Sequence, residues 1–176
     1  MHIQRLDLTH STAYRALRLR ALQDHPDAFT SSFEEEALRP LADTTQRMTA
    51  AAESLWGAFD GPQLIGMVGM SRETRVKNRH KAHLVGMYVA PEHAGHGVGA
   101  ALVAAVVQHA AAHQVALLVL TVTDGNQAAQ ALYERAGFVS FGIEPDAIRV
   151  QGVRLGKRHM ALQLPTPTEI ESPHDA

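Results

Sequence analysis

The chain has 176 residues and a formal net charge of −2, because 18 aspartates and glutamates outnumber 16 lysines and arginines. Its 45% hydrophobic and 19% charged residues are ordinary for one folded domain, which excludes wholesale disorder. The chain contains no cysteine, which excludes disulfides, thiolate metal sites and a thioester on an enzyme cysteine.

Charge and hydropathy patterns also narrow the class of partner. No block of basic residues is present, so the sequence predicts no nucleic-acid partner. The sequence has neither an apolar leader of signal length nor an apolar stretch of about 18 residues, so no membrane partner is predicted. We expect a cytoplasmic protein with one domain over residues 1–164 and a disordered tail over 165–176.

The first third of the sequence predicts a strand and two helices. A short apolar–polar alternation over 2–8 is compatible with an opening strand. Ser11 or Thr12 is placed to cap a helix that Pro26 ends. The apolar positions of this helix share one face, and they are Tyr14, Leu17, Ala21 and Leu22. A second helix is predicted over 42–52.

A hairpin and a central strand follow. Apolar runs over 55–59 and 64–70 flank the turn residues Asp60-Gly61-Pro62 and predict two paired strands. Basic residues over 72–81 predict a solvated loop. Ala82–Val89 is apolar on both alternations, which is typical of a strand covered on both faces.

The second half alternates strands and helices. An apolar run over 115–123 predicts a strand, and 126–136 predicts a helix with Gly137 as its left-handed terminator. Two last strands are predicted over 139–143 and 159–164. This order predicts a fold of the α/β (α+β) class with a mixed, partly parallel sheet.

A glycine-rich turn separates the central strand from the next helix. Gly95, Gly97 and Gly99 occupy alternate positions before that helix, so successive backbone N–H groups can point outward. Together with the positive end of the helix dipole, such a turn suits a phosphate or pyrophosphate. Val98-Gly99-Ala100 lacks the lysine and hydroxyl of a P-loop, and the mid-chain position does not fit a dinucleotide-binding βαβ unit.

Two motifs resemble the GNAT N-acetyltransferase superfamily. Val89-Ala90-Pro91 and Gly97-Val98-Gly99 are similar to the family's strand end and pyrophosphate loop, but Ala94 stands where the family prefers glutamine or arginine. The second motif, Asn126–Phe138, follows at the family's distance. The resemblance implies a sheet with helices on both faces, in which a splayed strand pair holds acyl-CoA. The departure at Ala94 predicts weaker cofactor affinity.

The same resemblance implies acetyl-CoA as cosubstrate and no metal. The pantetheine arm would pair with the strand residues Met87, Tyr88 and Val89. Asn126 matches the family's contact to the cofactor arm, and it equally fits an N-cap. The pyrophosphate would contact a run of seven residues, Ala94, Gly95, His96, Gly97, Val98, Gly99 and Ala100.

Two side chains are candidates for proton transfer. Tyr133 matches the family's proton donor to the departing thiolate, although a tyrosine that only packs beside Phe138 would also fit. His83 occupies the strand position where some protein-acetylating members carry a glutamate base. An imidazole exchanges its proton near neutral pH, which suits a base, but an ordinary hydrogen-bonded histidine is the alternative.

The acceptor partner is an amine of open identity: a small molecule, a protein N-terminus or a lysine. Glu34, Glu35 and Glu36, just after Phe29, fall where the family's substrate loop lies, and one of them could bind the cationic amine or relay its proton through water. The three glutamates also fit a solvated helix start. The absence of cysteine favours direct transfer in a ternary complex. Arg149–Arg158 is basic, which would suit an acidic acceptor or peptide, but a solvated hairpin is favoured there. A C₂ homodimer is the default oligomer.

Two other functional classes stay open. A module could bind acyl-CoA as a sensor without turning it over. A histidine-rich metal protein is the second alternative, because six histidines are spaced suggestively: His80, His83, His93, His96, His109 and His113. The helical pair lacks the glutamate of zinc proteases, and no acidic third ligand is nearby in sequence.

Overall fold

The computed structural model describes residues 1–165. Over these residues the chain forms five α-helices and one seven-stranded sheet. The helices are α1 Ser11–Asp24, α2 Phe33–Leu38, α3 Leu41–Thr49, α4 Val98–Ala112 and α5 Gln127–Arg135. The strands are β1 His2–Arg5, β2 Glu53–Asp60, β3 Gln63–Arg72, β4 Lys81–Val89, β5 Leu117–Thr123, β6 Val139–Val150 and β7 Val153–Gln163. The predicted tail, apart from Pro165, lies outside the described residues.

The strand order in the sheet is β1-β2-β3-β4-β5-β7-β6. Only β4 and β5 pair in parallel among the described strands, and α4 connects them. The last strand, β7, lies between β5 and β6 and is antiparallel to both. The prediction of a mixed, partly parallel sheet of the GNAT type is confirmed.

Helices cover both faces of the sheet. On one face α4 buries Leu102, Val103 and Val106 in the same cluster as residues of β2–β5. On the other face α1 buries Tyr14 and Leu17 in a second cluster with residues of β2–β4. The apolar stripe predicted for α1 is confirmed, because its four predicted residues are all buried.

Three local predictions are wrong. Neither Ser11 nor Thr12 caps α1: Ser11 is its first residue, and Asp7 instead caps the short 3₁₀ turn at Leu8–His10 that leads into the helix. The opening strand ends at Arg5 and not at residue 8, because that turn begins. Gly99 lies inside α4 and not before it. A methyl group added at Gly99 would sit 3.2 Å from the side chain of Leu132 in α5.

The last hairpin is longer than predicted. β6 continues to Val150, past Pro145, and β7 begins at Val153. The register between the two strands shifts between Glu144 and Ile148, which marks a bulge in this edge strand. Proline is tolerated at such a bulge, so Pro145 does not end the strand. The basic segment over 149–158 therefore contains the hairpin turn.

None of the helices formed by residues 1–165 is both long and apolar enough to cross a membrane.

Candidate active site

The central feature of the site is the point where β4 and β5 separate. The two strands pair only through Lys81↔Leu117, Ala82↔Leu118 and His83↔Val119. Just beyond, β4 bulges against β3, where the register shifts, and Gly86 adopts φ +64°. That left-handed conformation costs an L-residue about 1–2 kcal/mol, so glycine suits it. The bulge lies where the parallel pairing stops.

A cavity of about 540 Å³ opens between the separated strands. From the sheet it is lined by Leu84–Met87 of β4 and Thr121–Thr123 of β5. From α5 and its cap it is lined by Asn126, Ala129, Leu132 and Tyr133. Its remaining wall includes the side chains of Arg18, Phe29, Glu36, Arg39, Arg47 and Lys157. The cavity therefore joins the strand gap to a group of charged side chains.

Tyr133 is the titratable side chain that α5 contributes to the cavity wall. It is 6% exposed and packs edge-on against Phe138, with ring centroids 5.9 Å apart. Burial raises the pKa of Tyr133 well above its ordinary value of 10, because the phenolate would lose its hydration. The phenol therefore keeps its proton at neutral pH and can donate it.

The ends of α5 fix the position of that tyrosine. Asn126 caps the helix, since its Oδ1 accepts a hydrogen bond of 3.1 Å from the N–H of Ala129. At the other end Gly137 has φ +94°, and the N–H of Phe138 donates to the carbonyl of Tyr133 at 3.0 Å. The predicted terminator is confirmed. Asn126 also lines the cavity, so the N-cap and the proposed cofactor contact are compatible.

The glycine turn leads from β4 to α4. Gly95 has φ +79° and Gly97 has φ +77°, and Gly97 is the N-cap of α4. Ala94 and His96 are exposed, whereas Val98 is buried and anchors the first helical turn. The turn thus presents backbone at a helix N-terminus, the arrangement that binds anions in many proteins. No side chain at position 94 assists it.

An ion pair fixes the start of this turn to α1. The guanidinium of Arg20 donates two hydrogen bonds of 2.7 Å to the two carboxylate oxygens of Glu92. This pairing lowers the pKa of Glu92 to about 2. The carboxylate is neutralised by its partner and so opposes an anion at the turn less strongly.

A buried lysine anchors the loop that follows α1. The Lys157 Nζ of β7 donates to the carbonyl of Ala28 at 3.0 Å and to Thr123 Oγ1 at 2.9 Å. Thr123 Oγ1 in turn donates to the carbonyl of Asp27 at 2.5 Å. Burial lowers the pKa of Lys157, which is 5% exposed. The end of β5 and the loop are therefore held together.

The β4 residues predicted to bind the coenzyme have side chains on different faces of the sheet. Met87 lines the cavity, but the side chain of Tyr88 points to the other face, where its hydroxyl donates to Asp24 at 2.6 Å. Burial, followed by this hydrogen bond, raises the pKa of Tyr88. Val89 packs at the edge of the α4 cluster. Only backbone groups of Tyr88 are therefore placed to serve a ligand between the strands.

The residues predicted for the base and acceptor are more scattered. His83 lies outside the cavity lining, and its Nε2 is 2.9 Å from Glu73 Oε1. This contact lowers the pKa of Glu73. Glu35 closes a capping box with Ser32 at the start of α2. Of the predicted acceptor residues, Phe29 and Glu36 line the cavity between the strands, whereas Glu34 and Glu35 do not.

A second, open groove lies beside the cavity. Its volume is about 620 Å³, and it runs between the loop after α1 and the tip of the β6–β7 hairpin. Phe29 and Glu34 line it together with Ile148–Gln151. Phe29 lines both spaces, so the groove adjoins the cavity.

Sequence reasoning missed the basic residues of the cavity wall. Arg39 and Arg47 lie in segments that carry no motif, and Lys157 lies in the basic segment 149–158, where a solvated hairpin was favoured. Arg18 had a usable signal, because it lies four residues after Tyr14 and three before Ala21, on the apolar face of α1. A charge on an apolar helix face indicates a buried polar role.

The histidines predicted as alternative metal ligands do not gather. Within residues 1–165 no three histidine, aspartate or glutamate side chains are grouped to hold a metal ion. His109 and His113 stack with centroids 3.9 Å apart, and His109 also packs edge-on against Trp56. Burial, aided by charge on His113, lowers the pKa of His109 to about 4.

Comparison with known proteins gives the family. The model of the acetyltransferase (GNAT) family matches residues 18–138. No curated protein sequence matches the chain significantly. Many solved structures share the fold.

Three of these structures illustrate the likeness. The GNAT-family acetyltransferase of Streptococcus pneumoniae gives a TM-score of 0.80 at 20% identity, covering 93% of this chain and 99% of that one. The putative acetyltransferase yncA of Salmonella typhimurium was solved with its cofactor acetyl-CoA. It gives a TM-score of 0.79 at 20% identity, covering 100% of this chain and 98% of that one. The ribosomal-protein-alanine N-acetyltransferase of Brucella melitensis gives a TM-score of 0.76 at 21% identity, covering 93% of this chain and 100% of that one.

At these identities the solved structures establish the fold, while the family model covers both the strand gap and the Tyr133 helix. This chain belongs to the GNAT family of acetyltransferases.

Proposed function

We propose that the protein transfers an acetyl group from acetyl-CoA to a primary amine, by direct attack within a ternary complex. The observation that carries this proposal is one cavity that contains both the gap between β4 and β5 and the buried phenol of Tyr133. A thioester held between the strands would have a proton donor beside its sulfur.

The coenzyme would be bound chiefly by backbone. The pantetheine arm is amide-rich and would pair with β4 at Met87 and Val89 as an additional strand does. The diphosphate would lie against the turn from Ala94 to Ala100, where amides at the start of α4 bind anions. Neither contact depends on a particular side chain.

The reaction would proceed by addition and elimination. The neutral amine attacks the thioester carbonyl carbon, and a backbone N–H near Val89 stabilises the resulting oxyanion. The carbon–sulfur bond then breaks, and Tyr133 gives its proton to the departing thiolate. The amine nitrogen loses a proton to solvent, and the products are an N-acetylated amine and free coenzyme A.

His83 can serve as base only through a bridging water. Its ring lies outside the cavity lining, and its Nε2 is 2.9 Å from Glu73 Oε1. The adjoining wall carries several cations, which favour the neutral form of a bound amine and reduce the demand on a base. We therefore assign His83 a supporting role in proton transfer.

Two measurements test the proposal. Titration calorimetry of the purified protein with coenzyme A should detect binding, and an amine screen with acetyl-CoA should release free thiol in step with an acetylated product. A protein that binds coenzyme A but acetylates no amine would be a binding module. Absence of coenzyme binding at millimolar concentration would exclude both readings.

A further inference from the structure

We propose that the acceptor is an amine that carries a carboxylate close to its nitrogen, as a free α-amino acid does, and that Arg18 binds that carboxylate. This inference rests on the proposed acetyl transfer and specifies its second substrate. Three observations support it: the unsatisfied guanidinium of Arg18, its position beside the β4 bulge, and the charge of the surrounding wall.

The guanidinium of Arg18 is buried without the partners that it requires. Its side chain is 12% exposed, and neither Nε nor Nη1 has a hydrogen-bond partner among residues 1–165. Nη2 is 3.9 Å from Glu36 Oε1, too far for a hydrogen bond, and the guanidinium lies 4.7 Å from the ring centroid of Phe29. Burial lowers its pKa. Buried donors of this kind are usually paired, so a ligand is the missing partner.

The position of Arg18 places that ligand near the reaction. A methyl group at Gly86 would lie 3.9 Å from Arg18 Nη1. Gly86 is in the bulge where β4 leaves β5, and Tyr133 lines the same cavity. An anion bound by Arg18 is therefore close to the strand gap that would hold the thioester. This proximity favours an acceptor whose anionic group and amine are few bonds apart.

The composition of the wall identifies the charge of the ligand. Arg18, Arg39, Arg47 and Lys157 line the cavity with one carboxylate, that of Glu36, and Arg47 is also paired at 3.3 Å with Glu53 outside the lining. Pantetheine is uncharged, and the proposed diphosphate site is at the turn before α4, so the coenzyme arm does not supply the anion here. The excess positive charge also disfavours polyamines and lysine-rich peptides as acceptors.

Glu36 completes the recognition of an amino acid. Its carboxylate lines the cavity beside Arg18, within reach of the ammonium of an entering substrate. Arg15 fixes the end of α2, donating to the carbonyls of Glu36 and Ala37 at 3.3 Å each. A guanidinium and a carboxylate side by side are complementary to the two charges of a zwitterion, and the planar fork of arginine suits a carboxylate.

A panel of free L-amino acids, each matched with its carboxamide, tests this assignment. Acetyl transfer is followed as free thiol, and kcat/KM is compared within each pair. We expect at least one amino acid to react at least about tenfold better than its amide, the range of one charge-assisted hydrogen bond. Equal or better use of the amides, or of amines without a carboxylate, would overturn the Arg18 assignment and leave acetyl transfer intact.

Variants of Arg18 test whether this side chain recognises the carboxylate of the acceptor. Arg18→Gln should lower kcat/KM about 10- to 100-fold for the amino acid and less than about twofold for its amide. Arg18→Lys should recover part of the loss, because it restores the charge without the fork. The control is Arg75→Gln, at an exposed arginine in the loop before β4, which should change neither value. Equal losses for both substrates of a pair would contradict the proposal.

Binding provides an independent measurement on the wild-type protein. In the presence of coenzyme A, the same free amino acids should raise the melting temperature and their amides should not. If coenzyme A binds but no free amino acid binds or reacts, the carboxylate site is refuted. If coenzyme A itself does not bind, the proposed function fails first.

Discussion

The proposed coenzyme side and the proposed acceptor side of the site are built on different principles. On the coenzyme side, the gap in the sheet and the glycine turn present mainly backbone groups, and Ala94 leaves even the customary side-chain position empty. On the acceptor side, the wall consists of long charged side chains from α1, the α2–α3 region and β7. A backbone site tolerates many sequences, whereas a side-chain site changes its ligand with one substitution.

The largest effect is expected where the two sides meet, at Tyr133. Tyr133→Phe should lower kcat about 100-fold, because the departing thiolate loses its proton donor, while the Kd for coenzyme A stays within about twofold. Steady-state kinetics and calorimetry measure the two quantities. A loss of coenzyme binding that parallels the loss of rate would mean that Tyr133 serves the coenzyme side instead.

Tyr88→Phe is the matched change of a buried phenol. It removes the hydrogen bond to Asp24 on the opposite face and leaves the β4 backbone unchanged. A rate reduced as strongly as in Tyr133→Phe would show that the loss of any buried hydroxyl slows this enzyme.

The next largest effect tests whether backbone groups of the glycine turn bind the coenzyme. Gly97→Ala places an L-residue at φ +77°, which should cost about 1–2 kcal/mol of folding stability and weaken coenzyme A binding about tenfold. Gly142→Ala is the control, because no atom lies within 4 Å of its added methyl group and its φ is not positive. Unchanged binding in Gly97→Ala would remove the turn from the coenzyme site.

A smaller gain is expected at position 94. Ala94→Gln restores the amide that relatives prefer, and because the position is exposed the longer side chain needs no repacking. We expect coenzyme A to bind about threefold more tightly, with acceptor kcat/KM ratios unchanged, since a hydrogen bond at an exposed site contributes little. Altered acceptor preference would break the separation between the two sides.

The smallest effect is expected at His109, which belongs to neither the proposed coenzyme side nor the proposed acceptor side. His109 has its pKa lowered to about 4, below its ordinary value of 6.5, so the unfolded chain binds a proton in this range before the folded chain does. Wild-type stability contributed by neutral His109 is complete above pH 6.5 and is lost as pH falls toward 4. In His109→Gln the melting temperature should fall about 2 °C less over this range.

The exposed His80 supplies the comparison for that variant. The melting temperature of His80→Gln is measured over the same pH range as a reference. Coenzyme and acceptor kinetics should be unchanged in both variants, because neither ring lines the cavity.

The turn and the helix of the proposed coenzyme side were predicted from the sequence because their signals are local. Glycines at fixed spacing and the motif from Asn126 to Phe138 specify a turn and a helix within a few residues. The helix face of Tyr14 and Leu17 was equally readable, since burial there follows the helical period.

The acceptor side could not be predicted in the same way. Arg18 and Glu36 lie on α1 and α2, and Lys157 joins them only because β7 inserts beside β5, a topology that periodicity does not encode. The hairpin was also underestimated, because Pro145-Asp146 is typical of a turn but lies at a bulge. There Asp146 has φ +51° and its carboxylate accepts hydrogen bonds from Arg149 at 3.0 and 2.6 Å.

The anchor formed by Lys157 and Thr123 has a consequence for changing specificity. It fastens the loop at Asp27 and Ala28, immediately before the segment 29–39 that contributes Phe29, Glu36 and Arg39 to the acceptor wall. A graft that exchanges only 29–39 between family members would keep its attachment to the sheet. New acceptors could then be installed as a cassette, without rebuilding the coenzyme half.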